Sequence, residues 1–267
     1  MKLEEWAVKQ ILLISVLISF STFSKTVIVT DIDDTVKVSH VRDFTDLILN
    51  AYRTSNRFLG MAEILNSIKD DNDAEVFYLT NAPRDLMSWS HTTLLERGNF
   101  PSGVIYLRDD ISDDQHKVMT LKRIIRDTNP TKMILFGDNG EKDIHYYQAI
   151  KEEFQQIDFT IFIRIAYNMD KEHTPIEDQI PFVSPFEVAW SLDKLGLIDN
   201  NSINELYKNH AIPFLIEPST MEVGPLYIPR WLECNGFDIS DYLSGSHGLD
   251  HHIIRKVSEI CKKFALD

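Results

Sequence analysis

Three carboxylates fall within four residues at Asp31-Ile32-Asp33-Asp34, directly after the run Val27-Ile28-Val29-Thr30 and just before Thr35. Like charges that close repel one another, so such a cluster costs stability unless a cation compensates it. A buried strand that delivers acids to its carboxyl end is how open α/β sheets build their sites. The pattern D-x-D-x-T at such a place predicts an aspartate nucleophile, Asp31, a second working aspartate, Asp33, and a bound Mg²⁺ ion. The bland alternative is a strand followed by an acidic turn.

Three further pieces weigh against that alternative. The run Glu75-Val76-Phe77-Tyr78-Leu79 ends in Thr80, Lys117 opens a helical segment, and Met133-Ile134-Leu135-Phe136 runs into Gly137-Asp138 with Asp143 five residues on. Asp, then Thr, then Lys, then G-D-x-x-x-x-D, each at a strand end or helix start, resembles the haloacid dehalogenase superfamily. The resemblance extends through Asp31 to Ser39, Gly60-Met61, Phe77 to Pro83, Phe100-Pro101-Ser102-Gly103, Leu107-Arg108-Asp109, His116-Lys117 and Gly137 to Asp143. That series, over roughly residues 27 to 167, is similar to the catalytic domain of the actin-patch-protein type of phosphatidate phosphatase. The family's usual S-N-S-P and G-D-S-G read here as Thr80-Asn81-Ala82-Pro83 and Gly137-Asp138-Asn139-Gly140, and the threonine keeps the hydroxyl.

The resemblance implies a Mg²⁺-dependent phosphomonoesterase that works through an aspartyl-phosphate, with phosphatidate hydrolysed to diacylglycerol and phosphate. Alternatives are a phosphatase of another phosphomonoester, soluble or on a protein, and a non-catalytic phosphate-binding module. Asp31 is the expected nucleophile and Asp33 the acid/base group. Thr80 is expected to donate its hydroxyl to a phosphoryl oxygen, and Lys117 to set a fixed positive charge against Asp31 and the phosphate. Lys122, one turn further into the helix, is the rival to Lys117. Asn81 and Arg108 are candidates for substrate contact, with Asp109 beside Arg108 at the mouth. The expected metal ligands are Asp31, Asp33 through its backbone carbonyl, Asp138 and Asp143, with Glu141 competing for the last place. Asp34 and Thr35 are expected to hold the turn. A separate group, Ser246-His247-Gly248-Leu249-Asp250-His251-His252, has metal-ligand residue types, but a loop entering a helix explains it equally well.

Such residues need elements to hold them. Strand-like runs at 27–31, 75–80, 103–107, 132–137 and 159–165 alternate with helical patterns at 44–53, 60–69, 85–97, 116–127 and 142–154. This alternation predicts an α/β fold, a Rossmann-like parallel sheet with helices on both faces. The stretch 36–59 is too short for a large lid, so the mouth is expected to be open, which suits a substrate whose bulk stays outside. Beyond residue 170 prolines break the texture. Helices are expected at 185–197, 202–209 and 250–264, with an extended, aromatic-rich stretch over 212–230. The expected organisation is a signal peptide over 1–24, a catalytic domain over 25–168 and a mostly helical carboxyl-terminal appendage over 169–267.

The formal net charge is -14, from 27 basic and 41 acidic side chains. That balance argues against nucleic-acid binding and against strong adsorption to anionic membranes. A phosphorylated lipid or small molecule is the expected partner, with peripheral contact to a membrane. The apolar run from Ile11 to Phe23, with Lys2 and Lys9 ahead of it, has signal-peptide length. A secreted or periplasmic protein is expected, with a membrane anchor over 11–23 as the alternative. The two cysteines, Cys234 and Cys261, allow one disulfide or two buried thiols.

Overall fold

The computed structural model describes residues 25–110, 112–242 and 247–263. The expected leader over 1–24, its anchor alternative and Ser246 of the histidine group lie outside them. β1 (Thr26–Thr30) is buried along its whole length. A β-branched run without alternation is what a strand covered on both faces requires. It lies at the centre of a six-stranded sheet in the order β4-β3-β1-β5-β6-β7, with β3 (Glu75–Pro83), β4 (Val104–Arg108), β5 (Lys132–Asp138), β6 (Asp158–Arg164) and β7 (Gln179–Phe182). Every pairing is parallel. Val27 to Thr30 pair with Glu75 to Tyr78 on one side and with Met133 to Phe136 on the other.

Helices cover both faces. They are α1 (Phe44–Ala51), α2 (Met61–Asn72), α3 (Arg84–Arg97), α4 (His116–Thr128), α5 (Asp143–Glu153), α6 (Pro185–Lys194), α7 (Asn200–Ile216) and α8 (Asp250–Lys263). α4 packs on α5, whereas α2 packs on α6 and α7. α6 starts where a capping box dictates: Ser184 and Glu187 exchange bonds across the first turn, and Pro185 needs no N–H there.

The segment beyond residue 168 is more than an appendage. β7 extends the central sheet beside β6, and one hydrophobic cluster runs from Val27 through Phe182, Phe186 and Phe214 to Cys261. A four-residue strand containing Pro181 carries too little pattern to be read as an edge strand. A second departure lies at 212–216, expected to be extended but part of α7, with Pro213 inside the helix. Burial of Ala211 and Phe214 on the core outweighs the proline there. A two-stranded sheet joins β2 (Arg57–Phe58) to β8 (Pro225–Leu226), fastening the stretch after β1 to the carboxyl-terminal segment. Cys234 and Cys261 form a disulfide, which holds α8 to the irregular segment around Asn235.

Candidate active site

The chain leaves β1 towards β3 and β4, then returns to β5 on the other flank. That reversal opens a crevice at the carboxyl ends of β1 and β5, and the acids are delivered there. Asp31 follows β1 directly, its N–H donating to the Phe136 carbonyl at 2.8 Å. Asp138 ends β5 and Asp143 opens α5, and both are fully buried. Carboxylate oxygens of Asp31, Asp138 and Asp143 lie within 4.8 Å of one another. Gly137 permits this approach, because a Cβ there would sit 2.7 Å from the Asp143 side chain.

Lys117, in the first turn of α4, is buried and lies between the acids. Its Nζ is 2.8 Å from Asp31 Oδ1, 2.6 Å from Asp143 Oδ1 and 3.5 Å from Glu141 Oε2. Lys122 instead pairs with Glu153 on the surface. Glu141 stays at the rim, about a third exposed, and accepts from Asn81 Nδ2 at 2.8 Å. The third place in the acid cluster therefore belongs to Asp143.

Asp33, two residues after Asp31, is heavily bonded. Oδ1 accepts from Ser39 Oγ at 2.6 Å and lies 3.6 Å from Lys37 Nζ. Oδ2 accepts from Thr80 Oγ1 at 3.2 Å and lies 3.0 Å from His91 Nε2. The Thr80 hydroxyl also accepts from the Ala82 N–H at 3.0 Å, so in this state it addresses Asp33. Asp34 is structural, as expected. It adopts φ 54, a left-handed conformation that Asp tolerates. Its carboxylate accepts from the N–H groups of Ser39, His40 and Val41 and from the Tyr167 hydroxyl. Thr35 supports the same turn, its N–H reaching the Ile32 carbonyl and its hydroxyl lying 3.4 Å from Asp31 Oδ2.

Burial dominates the electrostatics. It raises Asp31 well above the usual carboxylate range; Lys117 opposes this, while Asp143 and Asp138 add to it. Burial and the Asp143 charge push Asp138 well up, and burial also raises Asp143 against the pull of Lys117. Lys117 would be lowered by its own burial, yet Asp143, Asp31 and Glu141 raise it well above the ordinary lysine value. For Asp33 burial likewise acts to raise, but His91, Lys37 and Ser39 prevail and hold it well below the usual range. The site thus has one acid kept ionised beside three that crowd one another.

That crowding fits a cation. Asp138 Oδ2 and Asp143 Oδ2 are buried acceptors without a hydrogen-bond partner. Hard carboxylate oxygens are the donor set that Mg²⁺ takes. Asp31, Asp138 and Asp143 are the only such group among the described residues. The histidine-rich stretch resolves differently. Asp250 is buried and accepts from the Tyr207 hydroxyl and the His247 N–H, whereas His251 and His252 are exposed. It is a helix entry.

Two groups at Asp33 had no expected role. His91 lies in the middle of α3 and is fully buried, and nothing in its neighbourhood in the chain marks it. Lys37 is also fully buried, and donates to the Ala51 carbonyl at 3.3 Å. Asn139, where the resembled pattern has Ser, binds the segment after β6. It donates to the carbonyls of Tyr167 and His173 and accepts from the N–H groups of Ala166 and Tyr167. Asn81 and Arg108 line a cavity of about 760 Å³ beside the site, with Glu141, Lys142, Tyr146 and His173. Asp109 is turned to Arg84 on the surface.

Residues 26–165 match the family described as "Phosphatidate phosphatase APP1, catalytic domain". Phosphatidate phosphatase APP1 of Saccharomyces cerevisiae is 27% identical over 157 residues, 53% of this chain and 26% of that protein. The uncharacterized protein C29B5.04c of Schizosaccharomyces pombe is 26% identical over 230 residues, 76% of this chain and 38% of that protein. The chain thus spans well under half the length of either relative. A class C acid phosphatase from Bacillus anthracis, solved with tungstate bound, aligns over 58% of this chain and 73% of its own, with 17% identity and a TM-score of 0.36.

Proposed function

The chain belongs to the family of the APP1 phosphatidate phosphatase catalytic domain, and from that premise we propose that it is a Mg²⁺-dependent phosphomonoesterase whose substrate is phosphatidate. The observation that carries this reading is the position of Asp31. Its carboxylate lies in a buried acid cluster at the sheet's switch point, 2.8 Å from Lys117 Nζ, with Asp33 two residues on in the chain. Phosphoryl transfer has a loose transition state, so a positioned carboxylate is a sufficient nucleophile. Asp31 attacks phosphorus, the P–O bond to the glycerol oxygen breaks, and the departing oxygen takes a proton from the Asp33 carboxyl, which is left ionised. Water then attacks the aspartyl-phosphate, loses its proton to Asp33 and frees phosphate and Asp31. Lys117 holds the Asp31 carboxylate in place and supplies positive charge to the incoming phosphate. Mg²⁺, held by Asp31, Asp138 and Asp143, would neutralise the negative charge that gathers there.

A lipid substrate is supported by family membership and by the short stretch between β1 and α2, which leaves the headgroup's tails outside. A phosphate-release assay on purified protein tests the reading, comparing phosphatidate in micelles, lysophosphatidate and sugar phosphates, with Mg²⁺ and with chelator. Release from phosphatidate that chelator abolishes is expected. Release from sugar phosphates alone overturns the lipid substrate, and release unaffected by chelator overturns the metal. In the same assay Asp138→Asn is expected to need far more Mg²⁺. Its metal-free melting temperature should not fall, because the substitution relieves acid crowding.

The export expected for residues 1–24 is proposed here as well. It is supported by the Cys234–Cys261 bond, since disulfides persist in oxidising compartments. Intact mass of the protein from its natural host is expected to begin at or near Lys25. A mass that retains Met1 sinks the idea.

A further inference from the structure

α1 is built inside out. Its one buried residue is Asn50, whose amide donates to the Ser39 carbonyl at 3.0 Å and whose Oδ1 accepts from Asn56 at 2.9 Å. Apart from the half-buried Leu47, its large apolar side chains face solvent instead: Phe44 is 76% exposed, Ile48 51%, Leu49 55% and Tyr52, at the helix end, 60%. At about 100° per residue these four share one arc of about 140°, and Asn50 lies opposite its middle. A surface helix normally buries such a stripe. The beginning of α3 does the same on a smaller scale, with Leu86 56% and Trp89 65% exposed.

Both helices are fastened to the same acid. α3 reaches Asp33 through His91 at 3.0 Å. α1 reaches it through Asn50 and Ser39, and through Lys37, which bonds the Ala51 carbonyl and lies 3.6 Å from Asp33. Asp33 is more open to solvent than the acids of the cluster, its side chain 13% exposed against 3% for Asp31 and 0% for Asp143. The outward apolar side chains therefore stand on the two helices bonded to Asp33.

We propose that these outward side chains insert into the interfacial layer of a lipid bilayer and hold the domain that carries the site at the membrane. The inference rests on the lipid-substrate reading above and supplies the surface which that reading requires. The residue types are those that anchor at membrane interfaces, Trp and Tyr with Phe, Leu and Ile. The charges beside them balance, with Arg42, Arg53 and Arg84 against Asp43, Asp46 and Asp85. A chain of net charge -14 gains no general attraction to an anionic surface. Apolar insertion needs none, and its strength does not depend on salt as an electrostatic contact would.

Flotation of the full-length chain with phosphatidylcholine vesicles containing phosphatidate tests this, with chelator present so that nothing turns over. The wild-type protein is expected to float equally at low and high salt, and Trp89 fluorescence to shift to the blue. Phe44→Ser with Ile48→Ser, and separately Leu86→Ser with Trp89→Ser, are expected to weaken partitioning on the order of tenfold or more. Turnover of long-chain phosphatidate in vesicles should fall in parallel. Turnover of a short-chain phosphatidate below its micelle concentration should not change, which also shows that the variants fold. Wild-type protein that stays in solution overturns the proposal. So do variants that float as well as the wild type, which would give the contact to other residues, 11–23 included. Substitutions that alter only self-association also overturn it, by assigning the face to a second copy. Patch-dependent flotation without phosphate release from phosphatidate upholds the surface and overturns the substrate.

Discussion

Asp31→Asn is expected to abolish turnover, a loss of about 10⁴–10⁶-fold as for removal of other covalent nucleophiles. The amide keeps the shape of the side chain, and Lys117 keeps Asp143 as a partner 2.6 Å away. Because burial already raises the Asp31 carboxyl well above its ordinary range, ionising it in the metal-free fold is unfavourable. An uncharged isostere removes that cost. The variant should therefore melt at or above the wild-type temperature without metal, so the lost activity will not be lost folding. Incubation with labelled substrate and acid quenching should trap phosphate on the wild-type protein and none on the variant. Turnover within about tenfold of wild type would exclude Asp31 as the nucleophile, since the lost group would then be worth less than ordinary general acid–base help.

The parts of this site that were legible in the sequence are those set by short spacing. Asp31, Asp33 and Asp34 sit at one strand end, and the distance from Asp138 to Asp143 is that between a strand end and the next helix start. Lys117 stands at an equivalent boundary, and Thr80 where the pairing of β3 becomes irregular, after Leu79. Local rules suffice for such places, because the end of a parallel strand fixes which edge of the sheet its next residues face. His91 was not legible, since it meets Asp33 only through tertiary packing, 58 residues away in the chain. Lys37 is only four residues from Asp33, but its burial depends on the turn after β1 folding back on Ala51. β7 was missed for a related reason, as four residues with a proline carry no period. α1 shows a further limit. The pattern locates the helix within about two residues, but an apolar stripe does not say whether its face meets protein or not. Only the burial of Asn50 in a network with Ser39 and Asn56 turns that stripe outwards.

The Asp33 substitution has the more informative outcome, because two steps depend on this side chain. His91, Lys37 and Ser39 hold the carboxyl ionised against its own burial. That state is the one needed to take a proton from the water that attacks the aspartyl-phosphate. In the first step the leaving glycerol oxygen needs a proton instead, and Asp33, whose side chain is 13% exposed, can pass one on from solvent. Asp33→Asn is expected to lower phosphatidate turnover by about 10²–10⁴-fold, the usual worth of acid–base catalysis. An aryl phosphate, whose leaving group needs no proton, should recover the first step but not the second. Phosphoenzyme should then accumulate on Asp31, where mass spectrometry of the quenched protein will find it. The wild type, given the same substrate, should show far less. Accumulation only with the aryl substrate assigns both proton transfers to Asp33, whereas accumulation with both substrates limits its role to the second step. Near wild-type turnover of both substrates would make Asp33 a bystander, and its four contacts a device for holding α1 and α3 against the sheet.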